Sequence, residues 1–400
     1  MNGRKLKILH VVPTPFFSDR GCHIRIAGLV RALQGLGLEN VICTYHHGRD
    51  VDGLAIRRIR PVPGYRRTAA GPDWHKYWAD WRLIGLVRRC LSRDRPDVIH
   101  AHLHEGVLVA WLARLLSGHW RIPLVFDVQG SLTGELDAFG YFRWSWVYHL
   151  FRWVEGWVTR LPCALACSSP QVRDILVNRF RVPPDRLWVV TDGADPALPP
   201  EPSAVPSVLY HRLRPTGTEW VVVYSGSLLP DKGVDQLHDT IRHCGRRLPA
   251  ARFLLIGYPT DATRRFLEEN CLEDRCILVG QLPYEQLPDY LALADAAVDP
   301  KPPGSGEASG KILHYMWAGL PVACCDSKNN RALLGQDGFF VNHCNGEELS
   351  DELCRMQAQP SAVRAAGARG RERARRRFTW ERSAGELCKI YHDCLAAAGG

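Results

Sequence analysis

Asp299–Ala323 reads DPKPPGSGEASGKILHYMWAGLPVA: a loop rich in Pro and Gly, then a short apolar helix, then a strand. The spacing predicts the helix. Ser309 stands at its N-cap position, Lys311, His314 and Ala318 recur along one side, and Ile312, Tyr315 and Met316 fall on the other. A helix start presents unpaired backbone N–H groups at the positive end of its dipole. With Gly304, Gly306 and Gly310 around it, the loop lets a phosphate come close to the backbone. The same pattern also serves as a plain flexible lead-in to a buried helix.

Outward from this stretch the unit of strand, glycine-bearing loop and helix repeats. Ala294–Val298 leads into it as a strand, and Phe253–Ile256 with Gly257 and Ile277–Val279 with Gly280 alternate with helices before it. That cycle opens at the strand Trp220–Tyr224, the loop SGSLLPDKGVD and the helix Val234–Cys244. Lys232 stands beside Gly233 at the helix start, where a lysine holds a diphosphate as a point charge. The proline-rich segment PALPPEPSAVPS separates this cycle from an earlier one. There, Lys5–Val12 is continuous and β-branched, as in a parallel sheet covered on both faces. The loop PTPFFSDRGCHIRI, the helix Ile24–Leu36 and the strand Asn40–Tyr45 follow, which is how a doubly wound α/β sheet begins. Gly21 reads either as a close approach to ligand or as a turn. At 400 residues, two α/β domains in tandem, facing a cleft, are expected.

The first cycle carries three further features. After an Arg- and Trp-rich loop, Arg57–Trp81, and a helix, Leu83–Ser92, comes DVIHAHLHEG. Here His100, His102 and His104 lie at period two and share one face if the strand persists. A strand's carboxyl end is where imidazoles meet substrate or a metal, and no carboxylate or cysteine constellation supports the metal. His102 or His104 is therefore the expected substrate contact. The strand Pro123–Val128 runs into QGSLTGELDAFG, placing Gln129 at the same end. In FGYFRWSWVYHLFRWVEGWVT, residues 139–159, Arg143 and Arg152 interleave with Trp144, Trp146, Trp153 and Trp157, and Arg160 follows. An amphipathic helix at a membrane surface and a tightly packed internal helix share this composition. Strands Ala164–Cys167 and Trp188–Val190 complete the domain, and the basic C-terminal segment reads as helical.

The totals narrow the class. Only eight of the 51 basic residues are lysines, and the net charge of +9 favours phosphates, anionic headgroups or nucleic acid. No nucleic-acid module accompanies it. No apolar run reaches the roughly eighteen residues of a membrane span, and Ile8–Val12 is too short for a signal-peptide core, so a cytoplasmic chain is expected, with peripheral contact at the inner face of a membrane an open reading. Fourteen cysteines without a CxxC pair imply free thiols, with neither disulfides nor a zinc site.

The ordered succession KILHVVPTP, DRGCHIRI, DVIHAHLHEG, SSPQVRDIL, VVTDGADP, YSGSLLPDKGVD, FLLIG, ILVGQLPYEQLPDYLALADAAVDP and EASGKILHYMWAGLPV resembles the family 4 retaining glycosyltransferases of the GT-B fold, over nearly the whole chain. The resemblance implies two Rossmann-like domains: residues 1–200 on the acceptor side, with a last helix, 380–400, packing back on it, and 201–379 holding a nucleotide-sugar. It places Gly21 near the donor phosphates and His102 at the transferred sugar or acceptor. His104 and Gln129 lie on the acceptor side, Lys232 holds the donor diphosphate, and Gly226 opens that loop. Glu307 contacts sugar hydroxyls, and the backbone around Ser309 and Gly310 meets the diphosphate.

Two positions depart from the family pattern. Ser227 stands where an arginine usually pairs with the lysine, and His314 replaces the glutamate that grips the ribose. An imidazole hydrogen-bonds a hydroxyl without a carboxylate's charged acceptance from two of them. The implied activity is transfer of a sugar from a nucleoside diphosphate sugar to an acceptor hydroxyl with retention, with no metal and no cofactor. The acceptor is a sugar, a lipid-linked saccharide or a small molecule. Two alternatives stand beside it: a non-catalytic partner that keeps the fold, and a nucleotide-sugar epimerase.

Overall fold

The computed structural model describes residues 5–18, 20–68, 73–138, 140–194 and 207–399. The linker expected at 196–207 lies almost wholly outside the described residues. The chain divides into two compact units, one of Met1–Gly193 with Ser305–Glu307 and Trp380–Gly400, the other of Ala194–Gly304 with Ala308–Thr379.

The first unit begins β1 (Lys7–Val12), α1 (Gly21–Gly35), β2 (Glu39–Thr44), β3 (Ile56–Arg58), α2 (His75–Asp94), β4 (Val98–His102) and α3 (Leu103–Ser117). It continues with β5 (Leu124–Val128), α4 (Leu132–Ala138), α5 (Ser145–Val158), β6 (Ala164–Cys167), α6 (Pro170–Phe180) and β7 (Leu187–Val189). The strands form one parallel sheet in the order β3-β2-β1-β4-β5-β6-β7. Side chains alternate across it. Leu9, Ile99, Leu124 and Phe126 pack towards α2 and α3, whereas Ile8, Val98 and Val125 pack towards α1 and the C-terminal helix. Both faces are covered, which is why these strands read as continuous apolar runs.

One expectation for this unit fails. The segment read as a loop up to Trp81 becomes helix from His75, whose N–H donates to the Asp73 carboxylate at 2.9 Å. The shared face of the three histidines depended on the strand persisting; it ends at His102, Leu103 adopts φ 62° and opens α3, and His104 sits in a helix turn rather than on the strand face.

The second unit contains α7 (Ser207–Leu213), β8 (Trp220–Ser225), α8 (Val234–Arg247), β9 (Ala251–Ile256), α9 (Asp261–Glu269), β10 (Cys276–Gly280), α10 (Leu287–Leu291) and β11 (Ala296–Asp299). Then come α11 (Gly310–Ala318), β12 (Val322–Cys325), α12 (Lys328–Leu334), β13 (Phe339–Val341), α13 (Gly346–Ala358) and α14 (Pro360–Arg377). Its sheet is parallel, in the order β10-β9-β8-β11-β12-β13. The chain closes with α15 (Trp380–Gly399), which belongs to the first unit and lies along α1. A Cβ on Gly28 of α1 would fall 2.3 Å from the Trp380 indole, so glycine is what lets α15 seat there.

The cysteine expectation also needs correction. Cys325, ending β12, and Cys344, just past β13, form a disulfide. They stand nineteen positions apart, and it is the parallel pairing of β12 with β13 that brings their ends together.

Candidate functional site

In both sheets the polar side chains gather at the carboxyl ends of the strands, where a doubly wound fold binds its ligands. In the second unit, β8 ends at Ser225, whose N–H donates to the Tyr315 hydroxyl of α11 at 2.7 Å. The chain then turns through Gly226 at φ 139°, pressed against Gly257: a Cβ on Gly257 would lie 1.8 Å from the Gly226 carbonyl oxygen. Gly233 is equally constrained. Its φ is 82°, and a Cβ there would lie 2.2 Å from the Pro300 carbonyl oxygen, directly after β11. These approaches lock the loop before α8 onto the ends of β9 and β11. Lys232 stands on that loop, its Nζ 3.1 Å from Asp231.

Lys311 reaches under the same loop. A Cβ on Gly226 would meet its Cε at 3.2 Å and its Nζ at 3.4 Å. The ammonium pairs with Asp299 at 3.2 Å and lies 4.3 Å from the centroid of the Tyr224 ring. Burial acts to discharge it, and Tyr224 and Asp299 outweigh that effect, so its pKa is raised. Ser227, in the position lacking the expected arginine, gives its carbonyl oxygen to the Tyr224 hydroxyl at 2.8 Å. Lys311 thus puts a cation beside the Gly226 turn without one on Ser227, and Lys232 stands further along the same loop.

Ser309 occupies the N-cap position of α11, but its side chain makes no cap bond and its buried Oγ has no hydrogen-bond partner. Gly310 opens the helix beside it. His314, one turn on, shares a 3.2 Å hydrogen bond with the Tyr284 hydroxyl, and burial lowers its pKa to about 4. It is a neutral imidazole at pH 7.

The first unit holds a different arrangement. On the sheet face towards α1 and α15, His10, His100, His102 and Asp127 replace apolar side chains and are fully buried. Asp127 accepts from His102 Nδ1 at 3.0 Å, from Gln129 Nε2 at 3.0 Å and from Arg25 Nη2 at 2.6 Å. Arg25, on α1, also pairs with Asp192 at 2.5 Å and donates to the Val190 carbonyl at 2.9 Å. Burial pushes the Asp127 carboxyl up, yet Arg25 and His102 hold it well below its ordinary pKa. Asp192 moves the other way, raised chiefly by burial.

His10, His100 and His102 bring one ring nitrogen each within 4.8 Å of one another, close enough to converge on an ion. In this structure His10 Nδ1 and His102 Nε2 hydrogen-bond each other at 3.1 Å, while His10 Nε2 bonds Asn40 at 3.0 Å and His100 Nδ1 bonds Tyr391 at 2.7 Å. An ion would have to displace the first of these. His102, expected at the sugar, has both ring nitrogens engaged inside the core; its placement is that of a group holding Asp127 and Gln129 in position. His104 is buried against Phe126, 3.6 Å from Glu155, which in turn accepts the Leu132 and Thr133 N–H groups at the start of α4.

Gly21 is the first residue of α1, with open space where a Cβ would be. Glu307 groups with this unit and lies close enough to Cys22 to add to the rise that burial gives that thiol. Its neighbour Gly306 accepts from the Ser169 hydroxyl at 2.8 Å at a φ of 74°, and a Cβ there would lie 2.5 Å from the Ile175 Cδ1.

Sequence reasoning missed Arg25, Asp127 and Asp192, and treated Lys311 only as one side of a helix. An aspartate inside LVFDV was the available signal, since a buried carboxylate requires a cation.

Residues 20–193 match the family model described as Glycosyl transferase 4-like domain, and residues 219–359 match Glycosyl transferases group 1. The D-inositol 3-phosphate glycosyltransferase of Streptosporangium roseum is 26% identical, over 94% of this chain and 89% of its own. Glycogen synthase of Mycobacterium tuberculosis is 25% identical, over 84% of this chain and 81% of its own. Among solved structures, sucrose-phosphate synthase from Thermosynechococcus elongatus superposes with a TM-score of 0.78 at 18% identity, covering 98% of this chain and 100% of that one. Anabaena HepE, solved with UDP and glucose, gives 0.76 at 16% identity over 97% and 100%.

Proposed function

The chain belongs to the family 4 glycosyltransferases of GT-B fold, and from that premise we propose that it moves a sugar from a nucleoside diphosphate sugar to an acceptor hydroxyl with retention of configuration. The observation that carries the reading is the packing of the Gly226 turn against Lys311 of α11 and of Gly233, beside Lys232, against Pro300, at the ends of β8 and β11; we read this arrangement as the cradle for the donor diphosphate. Departure of the diphosphate builds negative charge on its oxygens. Lys232, the N–H groups at Gly310 and the unpartnered Ser309 hydroxyl are the groups that take it up. Lys311 supplies beside Gly226 a cation that Ser227 cannot, which answers one of the two grounds for a non-catalytic chain.

The second ground is His314, and here the neutral imidazole is suited to donating or accepting one bond with a ribose hydroxyl. In the first unit, Gln129 is held by Asp127 and, with Asp192, is half-exposed past a strand end, whereas Arg25, His102 and Asp127 are buried. We assign Gln129 to the acceptor or the transferred sugar, with His102 and Arg25 as positioning residues, and Glu307 to sugar hydroxyls. The acceptor is a sugar or lipid-linked hydroxyl, with the enzyme in peripheral contact with a membrane. Among the described residues no helix is long and apolar enough to cross one.

The test is release of nucleoside diphosphate, and of glycosylated product, from a panel of nucleotide-sugars. One donor is expected to turn over, and Lys232→Ala to lower kcat/KM by roughly a hundredfold or more. Absence of turnover with every donor and acceptor, or an unchanged Lys232→Ala, overturns the assignment.

A further inference from the structure

Two helices of the first unit carry aromatic side chains on a face that no described element covers. Along α2, Trp74, Tyr77, Trp78 and Trp81 recur at the spacing of one helical stripe and are 69, 76, 60 and 65% exposed. The stripe continues along the helix as Arg88 and Arg89, both exposed. On α5, Trp146, Leu150 and Trp153 repeat the pattern at 63, 48 and 67% exposure. Both helices pack against α3, which exposes Leu115 and Leu116. Where α2 meets α3 lies an open cavity of about 580 Å³, lined by Arg88, Arg89 and Arg93 together with Leu116.

Charge identifies what fits this face. Between residues 141 and 160 there are three arginines and one acid, Glu155, which is buried and spent on the N–H groups of Leu132 and Thr133. On α2 the acids are Asp80, hydrogen-bonded to the Tyr45 hydroxyl, and Asp94, paired with Arg57. The free charge is positive. Indole rings with an apolar body and a polar N–H, interleaved with arginine, match the boundary between headgroups and acyl chains.

We propose that the α2–α3–α5 face docks on an anionic phospholipid bilayer, the tryptophans entering the headgroup boundary and Arg88, Arg89 and Arg93 receiving a lipid phosphate. This deepens the membrane contact in the reading above and is tested without sugar transfer. Full-length protein is sedimented with vesicles of phosphatidylcholine alone, or of phosphatidylcholine with phosphatidylglycerol. Binding is expected to the anionic vesicles and to weaken with salt. The exposed pair Trp78→Ser/Trp81→Ser is expected to lower partitioning by about tenfold or more. Arg88→Glu/Arg89→Glu is expected to remove the anionic preference, each lost arginine weakening binding by about fivefold.

No binding by the wild type, or variants that bind like it, overturns the proposal. So does full displacement by inorganic phosphate, which would make the cavity a soluble-anion site. So does sedimentation velocity showing a dimer that the tryptophan variant dissolves without any vesicle binding. Donor turnover with a soluble acceptor, measured on the same proteins, is expected to be unchanged, which separates loss of docking from loss of catalysis.

Discussion

At the scale of single residues the decisive pair is Lys311 and Asp299. Both are buried, they lie 3.2 Å apart, and the lysine reaches the underside of the Gly226 turn. Removing the lysine alone strands a buried carboxylate, which costs on the order of 3–5 kcal/mol. Lys311→Met should therefore lower the melting temperature and donor affinity together. Lys311→Met/Asp299→Asn removes both charges and should recover most of the stability while leaving donor binding weak. Thermal unfolding and calorimetry with the preferred nucleotide-sugar distinguish the two effects; recovery of donor affinity in the double variant would make the pair purely structural. His314 permits the complementary experiment. His314→Glu introduces a charged acceptor for two ribose hydroxyls, and a hydrogen bond to a charged group contributes about 1.5–3 kcal/mol against roughly 1 for a neutral one. Donor affinity should rise by about tenfold while the ligand-free protein loses stability. A fall in affinity would mean that the pairing with Tyr284 has refitted this position to a different contact.

At the scale of elements, the loop before α8 is rigid because glycine at 233 admits the Pro300 carbonyl. Gly233→Ala would bring a Cβ to 2.2 Å from that oxygen at a φ of 82°, and the end of β11 would have to move. The expected result is at least a tenfold loss of donor affinity with a melting temperature several degrees lower; unchanged calorimetry would show that the loop adapts freely. Such contacts explain what the sequence did and did not disclose. Strand β8 was legible because burial on both sheet faces leaves the β-branched run Val221–Val223, and β1 and β4 through Ile8, Val11 and Val12 and through Val98 and Ile99, despite the histidines set among them. Of the three-residue strands, β7 was read within one residue, whereas β3, whose Ile56 is followed by two arginines, and β13 were not, since so short a segment carries little periodicity. The N-cap position of Ser309 was legible, and the freedom of its hydroxyl was not. The start of α2 was hidden because its aromatic stripe faces outward, contrary to the pattern of a core-facing helix, and Asp73, which accepts the first helical N–H, was not read as a cap. Arg25 and Asp127 lie 102 residues apart, and only the packing of α1 against the sheet joins them.

Across the whole molecule, the buried histidines set a common response to acid. Burial lowers His10 to about 3 and His314 to about 4, and holds His23 and His100 well below 6.5. In the unfolded chain each takes a proton as the pH falls through about 6.5, whereas in the folded chain it does not until the pH nears its lowered value. Between those limits the unfolded state binds more protons. The stabilisation is therefore complete above pH 6.5 and is lost as the pH falls towards 4, by about 1.4 kcal/mol per pH unit for each histidine. Asp127 acts in a separate window, because a carboxylate held low loses its stabilising effect only below about pH 4. Against a stability of about 5–15 kcal/mol, four such histidines remove a large part by pH 5, and Asp80 and Asp192, whose carboxyls burial raises, return some of it by taking up protons first in the folded chain. The melting temperature should be nearly level from pH 8 to 7 and fall steeply from 6.5 to 5. His23→Gln and His314→Gln, one in each unit, should each reduce that slope by about one proton's worth. A level profile down to pH 5 would mean that these imidazoles reach water before the chain unfolds.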